Sequence, residues 1–182
     1  ADDILQYDGD IEFKQEGYLI VAANKEEDED FAKNVILQQS LGINARKVTK
    51  EEAKEIVPHL NTDAIVSATF CQTDGHLNPF KTNDAFYKAA KRLGVQFFFQ
   101  EEVKEIVVKN NKIEKVISTN LEIETENVIN AAGGFAREIG EMAGVEIPVY
   151  AEKHEILVTE PIERIQGPMV MSFAKNLYCQ QV

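Results

Sequence analysis

Val128-Ile129-Asn130-Ala131-Ala132-Gly133-Gly134 reads as a strand that runs out into small residues and opens a helix over Phe135 to Ala143. Its β-branched start favours extended backbone. The alanines and glycines that follow let a main chain come very close to something flat or charged. Peptide N–H groups at such a corner, with a helix start behind them, favour a phosphate or another anion. A tight strand-to-helix turn without any ligand accounts for the same residues, so the stretch alone leaves both readings open. The helix is expected to turn Phe135, Ile139 and Met142 inward and to end at Gly144.

Upstream of this corner the pattern is a meander. Val103 to Val108, the turn Lys109-Asn110-Asn111-Lys112 and Ile113 to Ser118 predict a hairpin on a tight Asn-Asn turn, with Leu121 to Thr125 as a third strand. Before it, Asn83 or Asp84 can cap a helix carrying Phe86, Ala89, Ala90 and Leu93 on one face. Gly94 closes that helix and Val95 to Phe99 follows as a buried strand. Downstream, EIPVYAE, HEILVTE, PMVMS and NLYCQQV read as strands.

The first third opens with Ile11 to Phe13 and Gly17 to Ala23, two apolar runs that read as a hairpin. Glu26 to Leu41 has Phe31, Val35 and Ile36 near helical spacing, with Gly42 at its end. Thr49 and Glu52 form a capping box for a short helix that Pro58 stops. Ala64 to Gln72 is a strand running into the polar turn Thr73-Asp74-Gly75-His76-Leu77-Asn78-Pro79. Helix–strand alternation in the middle and antiparallel patterning at both ends imply one discontinuous domain wrapped around another.

Composition narrows the function classes. The chain has 182 residues, 44% of them hydrophobic, and a formal charge of −12. Phosphate backbones are gripped by Lys and Arg clusters; the sequence has none, which argues against nucleic acid. No apolar run reaches the roughly 20 residues of a membrane span, and ADDILQYDGD lacks the basic flank and apolar centre of a secretory signal. Cys71 and Cys179 make neither a metal spacing nor a disulfide framework and are expected to be buried thiols. No metal site is expected, and the location expected is cytoplasmic.

Taken in order, GYLIVA, DGHLNP, a helix–strand pair, EEVKEI, VINAAGGFA and AGVEIPVYAEKHEILVTEP resemble one family along nearly the whole chain. That family is the FAD-dependent amine and amino-acid oxidoreductases, which includes D-amino acid oxidase, glycine oxidase, sarcosine oxidase and dye-linked proline dehydrogenases. The resemblance implies a mixed α/β (α+β) fold: an antiparallel or mixed substrate-domain sheet flanked by helices, plus part of a Rossmann-like FAD-binding domain with a β-meander. It divides the chain into substrate domain (1–78), partial FAD-binding domain (79–143) and substrate domain again (144–182).

The family opens with a strand–GxGxxG–helix for the FAD pyrophosphate and continues past NLYCQQV with a glycine-bearing strand and helix. Neither is found here, so the chain is expected to be an internal piece, with FAD bound by the full-length protein and little activity of its own. By resemblance, the backbone of Val103 meets the adenine, and Ala131, Ala132 and Gly133 pass beside the cofactor. Asp74 and Asn78 cap or brace the crossover. Phe135 stands where relatives often have Trp.

Met169, Met171 and Tyr178 resemble residues that line the substrate side of the flavin, and strand alternation is expected to let one of the two methionines be the lining residue. Ordinary sheet packing explains them equally. His154 lies where relatives often have His or Arg-His, though a His beginning a strand also serves as a structural hydrogen-bonding group. His59 and His76 are given no chemistry. Arg46, Arg92, Arg137 and Arg164 match no carboxylate-binding position of the family.

The reaction implied is hydride transfer from an amine-bearing carbon to flavin, giving an imine that water hydrolyses. The partner implied is a small amine or amino acid of the glycine, sarcosine, proline or D-amino acid type, with a partner subunit or a homo-oligomer left open. Two other readings stand beside it: a non-catalytic α/β binding module, and a flavin-dependent 2-hydroxy acid or glycerol-phosphate dehydrogenase.

Overall fold

Tyr18–Ala22 (β1) is a short run of aromatic and β-branched residues that needs neighbours on both edges to satisfy its main chain. In the computed structural model, which describes residues 9–181, it has them. The strand pairs antiparallel with Ser67–Cys71 (β3) on one side and parallel with Met169–Ser172 (β7) on the other. Ala45–Val48 (β2) extends the sheet beyond β3, and Leu177–Cys179 (β8) extends it beyond β7. The result is a five-stranded mixed sheet in the order β2-β3-β1-β7-β8.

Each face of this sheet carries a helix. Leu19, Val21, Val48, Ala68 and Phe70 point to one side and form the core with Ala53 of helix α2 (Lys50–Ile56), Val57 and Ile65. Leu19 has no solvent exposure, and burying such a side chain contributes about 2 kcal/mol. Helix α1 (Lys25–Ser40) is tied to the other side: Asp28 accepts hydrogen bonds from Ser67 and from Lys47, the latter at 2.7 Å. Asn24 caps this helix through Glu27, while Glu27 accepts from the Ala23 N–H at 2.7 Å. The expected capping box is present, with Thr49 and Glu52 bonded reciprocally at 2.8 and 3.2 Å.

The chain packs as two compact units, Ala1–Gly94 with Glu160–Val182 and Val95–Thr159. The second contains a three-stranded antiparallel meander of Val103–Lys109 (β4), Lys112–Ser118 (β5) and Glu122–Glu124 (β6). Its first turn is the Asn110-Asn111 pair, both in the left-handed region that Asn tolerates, at φ 51° and 60°.

Several expectations are corrected. Ile11 to Phe13 is not a strand. Glu12 sits at φ 58°, which breaks an extended run, and Lys14 instead exchanges main-chain bonds with His76 at 2.8 and 3.0 Å. The third helix, Pro79–Arg92 (α3), starts earlier than Asn83. Asn78 caps it through Phe80 and Lys81, and Pro79 takes the first helical position, where its missing N–H costs nothing. Ala85 and Ala89 are its buried positions, against Ile11, whereas Phe86 and Leu93 are exposed.

Val95 to Phe99 is also not a strand, and Phe97 to Phe99 are exposed. A strand exists only where another bonds it, and this run has no strand neighbour among the described residues. EIPVYAE and HEILVTE lack regular structure for the same reason, with Leu157 98% exposed. Cys71 is buried as expected; Cys179, on the edge strand β8, is exposed.

The Asp28 carboxyl is held below its ordinary range by the Lys47 ammonium and then by the Ser67 hydroxyl. A carboxyl whose folded pKa is depressed contributes stability above its unfolded value, and loses that contribution as pH falls through the folded one. Urea midpoints of wild type and Asp28→Asn should therefore differ at neutral pH, with wild type more stable, and converge as pH falls through the depressed folded value. Parallel midpoint curves across that range would sink the assignment.

Candidate functional site

In the unit Val95–Thr159, the sequence-selected bend is built by one side chain. Asn130 accepts from the Ala132 N–H at 3.2 Å and donates to the Ala136 carbonyl at 2.8 Å. The first bond is an Asx turn, the local alternative to a strand ladder that Asn offers. Residues 128–132 are accordingly not a strand, contrary to expectation. Gly133–Phe135 forms a 3₁₀ turn that leads into helix α4 (Ala136–Met142).

The two glycines of the corner act differently. Gly133 has φ +55°, and a Cβ there would meet nothing within 4 Å. Gly134 is a close approach: its Cβ would lie 3.0 Å from that of Ala151. Glycine is needed at the first for its dihedral angle and at the second for space. The outer side of the bend is open, with Ala131, Gly133 and Phe135 exposed and Ala132 half-buried. Phe135 was expected inward and is 70% exposed; Gly140 takes the buried position in α4, its Cβ place filled by Ile147.

Val103 is the first residue of β4, half-buried and paired with Ser118. Two residues earlier, Glu101 accepts from Asn120 and Ser118 side chains at 2.8 and 2.7 Å, and these bonds, Asn120 first, hold its carboxyl below the usual range. His154 is exposed, in the irregular segment of the same unit.

In the other unit, three of the selected residues come together. Met171 faces Ile20 across β1 and Tyr178 across β8, so Lys47, Thr69, Ile20, Met171 and Tyr178 form one row over all five strands. Met169 is two residues from Met171 and points to the same side. Alternation therefore does not choose between the methionines, a correction to the expectation. Their exposures differ: Met169 is 8% exposed, Met171 half-buried and Tyr178 52% exposed. His154 lies in the unit that does not contain this row.

Arg46, Arg137 and Arg164 hold carboxylates of the chain itself. Arg46 reaches Glu52 at 3.2 Å, Arg137 reaches Glu141 at 2.9 Å and stacks on Tyr150, and Arg164 reaches Glu16 at 2.6 Å. Asp74 bonds through its main chain to Gly17 and Cys71 in the crossover, while Asn78 caps α3 and also donates to Glu12 at 2.7 Å. An open groove of about 490 Å³ beside α2, lined by Asp28, Lys47 and Thr49, includes none of the selected residues. No group of three or more potential ligand side chains is placed to hold a metal ion among the described residues.

Residues 2–180 match the family model described as FAD dependent oxidoreductase. Mouse (Mus musculus) mitochondrial sarcosine dehydrogenase is 30% identical over 170 residues, covering 90% of this chain and 18% of that protein. Hydrogen cyanide synthase subunit HcnC of Pseudomonas aeruginosa is 30% identical over 159 residues, covering 86% of this chain and 38% of that protein. The crystal structure of L-proline dehydrogenase from P. horikoshii superposes with a TM-score of 0.81 at 33% identity, over all of this chain and 48% of that one. The chain thus spans less than half the length of each.

Because Asn130 supplies both side-chain bonds of the bend, Asn130→Ala should destabilise it by about 2 kcal/mol, at roughly 1 kcal/mol for each bond lost. Amide exchange at Ala132 should accelerate accordingly, while the β4–β5 amides keep their protection.

Proposed function

Since this chain belongs to the FAD-dependent oxidoreductase family, we propose that the complete protein oxidises a small amine or amino acid, of the sarcosine, glycine, proline or D-amino acid type. The observation that carries this reading is the row Ile20–Met171–Tyr178, two half-buried apolar side chains ending in an exposed phenol, on the sheet face that also carries α1. It is supported by two relatives named for the dehydrogenation of sarcosine and of L-proline.

The residues fit the family's cofactor in part. The bend presents nothing larger than a methyl at Ala131, Ala132 and Gly133, and its outer side is open, so a flat or charged group can lie against its backbone. Val103 offers main chain at the start of β4. In our reading these four residues hold the nucleotide portion of FAD, and the bound flavin supplies the hydride acceptor. The exposed apolar runs at Phe97 to Phe99 and Ile156 to Val158 support the view that further chain completes this unit.

The chain's own residues then have defined tasks. The Tyr178 hydroxyl orients the substrate by hydrogen bonding. Met169 and Met171 form a polarizable apolar wall that keeps water from the reacting carbon. His154, exposed and beside Glu155, is assigned to substrate binding as a polar group. A carboxylate-binding cation is assigned outside this chain, because Arg46, Arg137 and Arg164 already hold carboxylates.

The functional division assigned is 1–78 and 144–182 for substrate and 79–143 for FAD; the compact units describe packing and do not coincide with it. A cytoplasmic location goes with this reading. Among the described residues no helix is long and apolar enough to cross a membrane. A partner subunit is supported by one relative's being named a subunit, and a homo-oligomer is the alternative.

The complete polypeptide, purified with FAD, should lose its flavin absorbance when given sarcosine, glycine, L-proline or a D-amino acid, and Tyr178→Phe should raise KM roughly tenfold for one lost hydrogen bond. Bleaching by lactate or glycerol phosphate alone would move the protein to the hydroxy-substrate class. Failure to take up flavin would leave a binding module.

A further inference from the structure

The candidate substrate face hangs on a small amount of regular pairing. β7 meets β1 through three register pairs, and β8 meets only β7 among the described strands. What fixes the chain leading into β7 is a pair of glutamines. The Gln181 side-chain oxygen accepts from the N–H groups of Ile165 and Gln166 at 2.8 and 3.1 Å. Its amide nitrogen donates to the carbonyls of Ile162 and Glu163 at 3.4 and 3.0 Å. One side chain therefore serves four main-chain groups of a segment that has no strand or helix of its own.

Gln166 completes the arrangement in the opposite direction. Its amide nitrogen donates to the carbonyl of Cys179 at 2.9 Å and to that of Pro168 at 3.0 Å. On the far side of the same segment, Arg164 is held by Glu16, one residue before Gly17, whose carbonyl accepts from the Met169 N–H at 3.3 Å. The 162–168 segment is thus pinned both to the entry of β1 and to the exit of β8. These are the two neighbours that decide where Met171 and Tyr178 stand.

We infer that Gln181 is a positioning residue for the Met171–Tyr178 face, acting through the 162–166 backbone and Gln166 on the placement of the β7–β8 hairpin. This rests on the functional reading given above. A glutamine suits the task because the side chain must accept and donate at once. Glutamate can keep the two bonds to N–H groups but cannot donate to Ile162 and Glu163, and leucine keeps the volume and loses all four.

The test uses the complete flavin-loaded protein, with sarcosine and L-proline as probes. Flavin content, KM, kcat and thermal midpoint are measured for wild type, Gln181→Leu, Gln181→Glu and Gln166→Ala. The expected result is full flavin content, KM raised roughly tenfold in Gln181→Leu and by a smaller factor in Gln181→Glu and Gln166→Ala, with kcat changed less. A lowered thermal midpoint with unchanged KM would overturn the inference, since a merely structural clamp does that. If Gln181→Leu does not fold, the other two variants decide by the same criterion. A wild-type protein that takes up no flavin, or keeps it oxidised with both probes and with glycine and a D-amino acid as well, overturns the functional reading and this inference together.

Discussion

Three register pairs, Tyr18 with Met169, Leu19 with Val170 and Ile20 with Met171, join the two ends of the chain in one sheet. Everything proposed about the substrate face depends on them. They make Met171 a neighbour of Ile20 and carry Tyr178 into the same row. Parallel strands cannot be joined by a tight turn and need a long crossover. Here the connection also contains an entire second unit, Val95–Thr159. The contact is short, so side chains outside the ladder share the task of holding it: Arg164 on Glu16, and the glutamines around β8.

How well the sequence could be read depended on how local the cause was. The Thr49–Glu52 capping box and the Asn110-Asn111 turn are decided within four residues, and both stand where expected. Helix α1 ends at Ser40, close to Gly42. The row of Met169, Met171 and Tyr178 was legible as a set of residues. Its common face was not, because pairing between distant strands fixes it. β2 was missed altogether: Ala45-Arg46-Lys47-Val48 has two charged side chains in its middle and no alternation to betray a strand.

Several of the misread strands share one source. Val95 to Phe99, Val128 to Ala132 and HEILVTE have the composition of strands, yet composition supplies no hydrogen-bonding neighbour. The early apolar run at Ile11 to Phe13 failed differently, because Glu12 takes a left-handed backbone and Lys14 meets His76. The Asx turn at Asn130 could have been anticipated from an Asn just ahead of a small, glycine-bearing corner. Gln181 could not, since its four main-chain partners lie 15 to 19 positions away with no periodic signal.

The insertion of a whole unit between β3 and β7 sets an order of events during synthesis. One edge of β1 can bond β3 as soon as Cys71 has left the ribosome, whereas the other waits until Met169 emerges. At about 5–20 residues per second that delay is on the order of ten seconds. Throughout it, an unprotected Tyr18-Leu19-Ile20 edge is available to any passing strand. Nascent chains of this protein therefore keep that edge of β1 open until β7 arrives to conceal it.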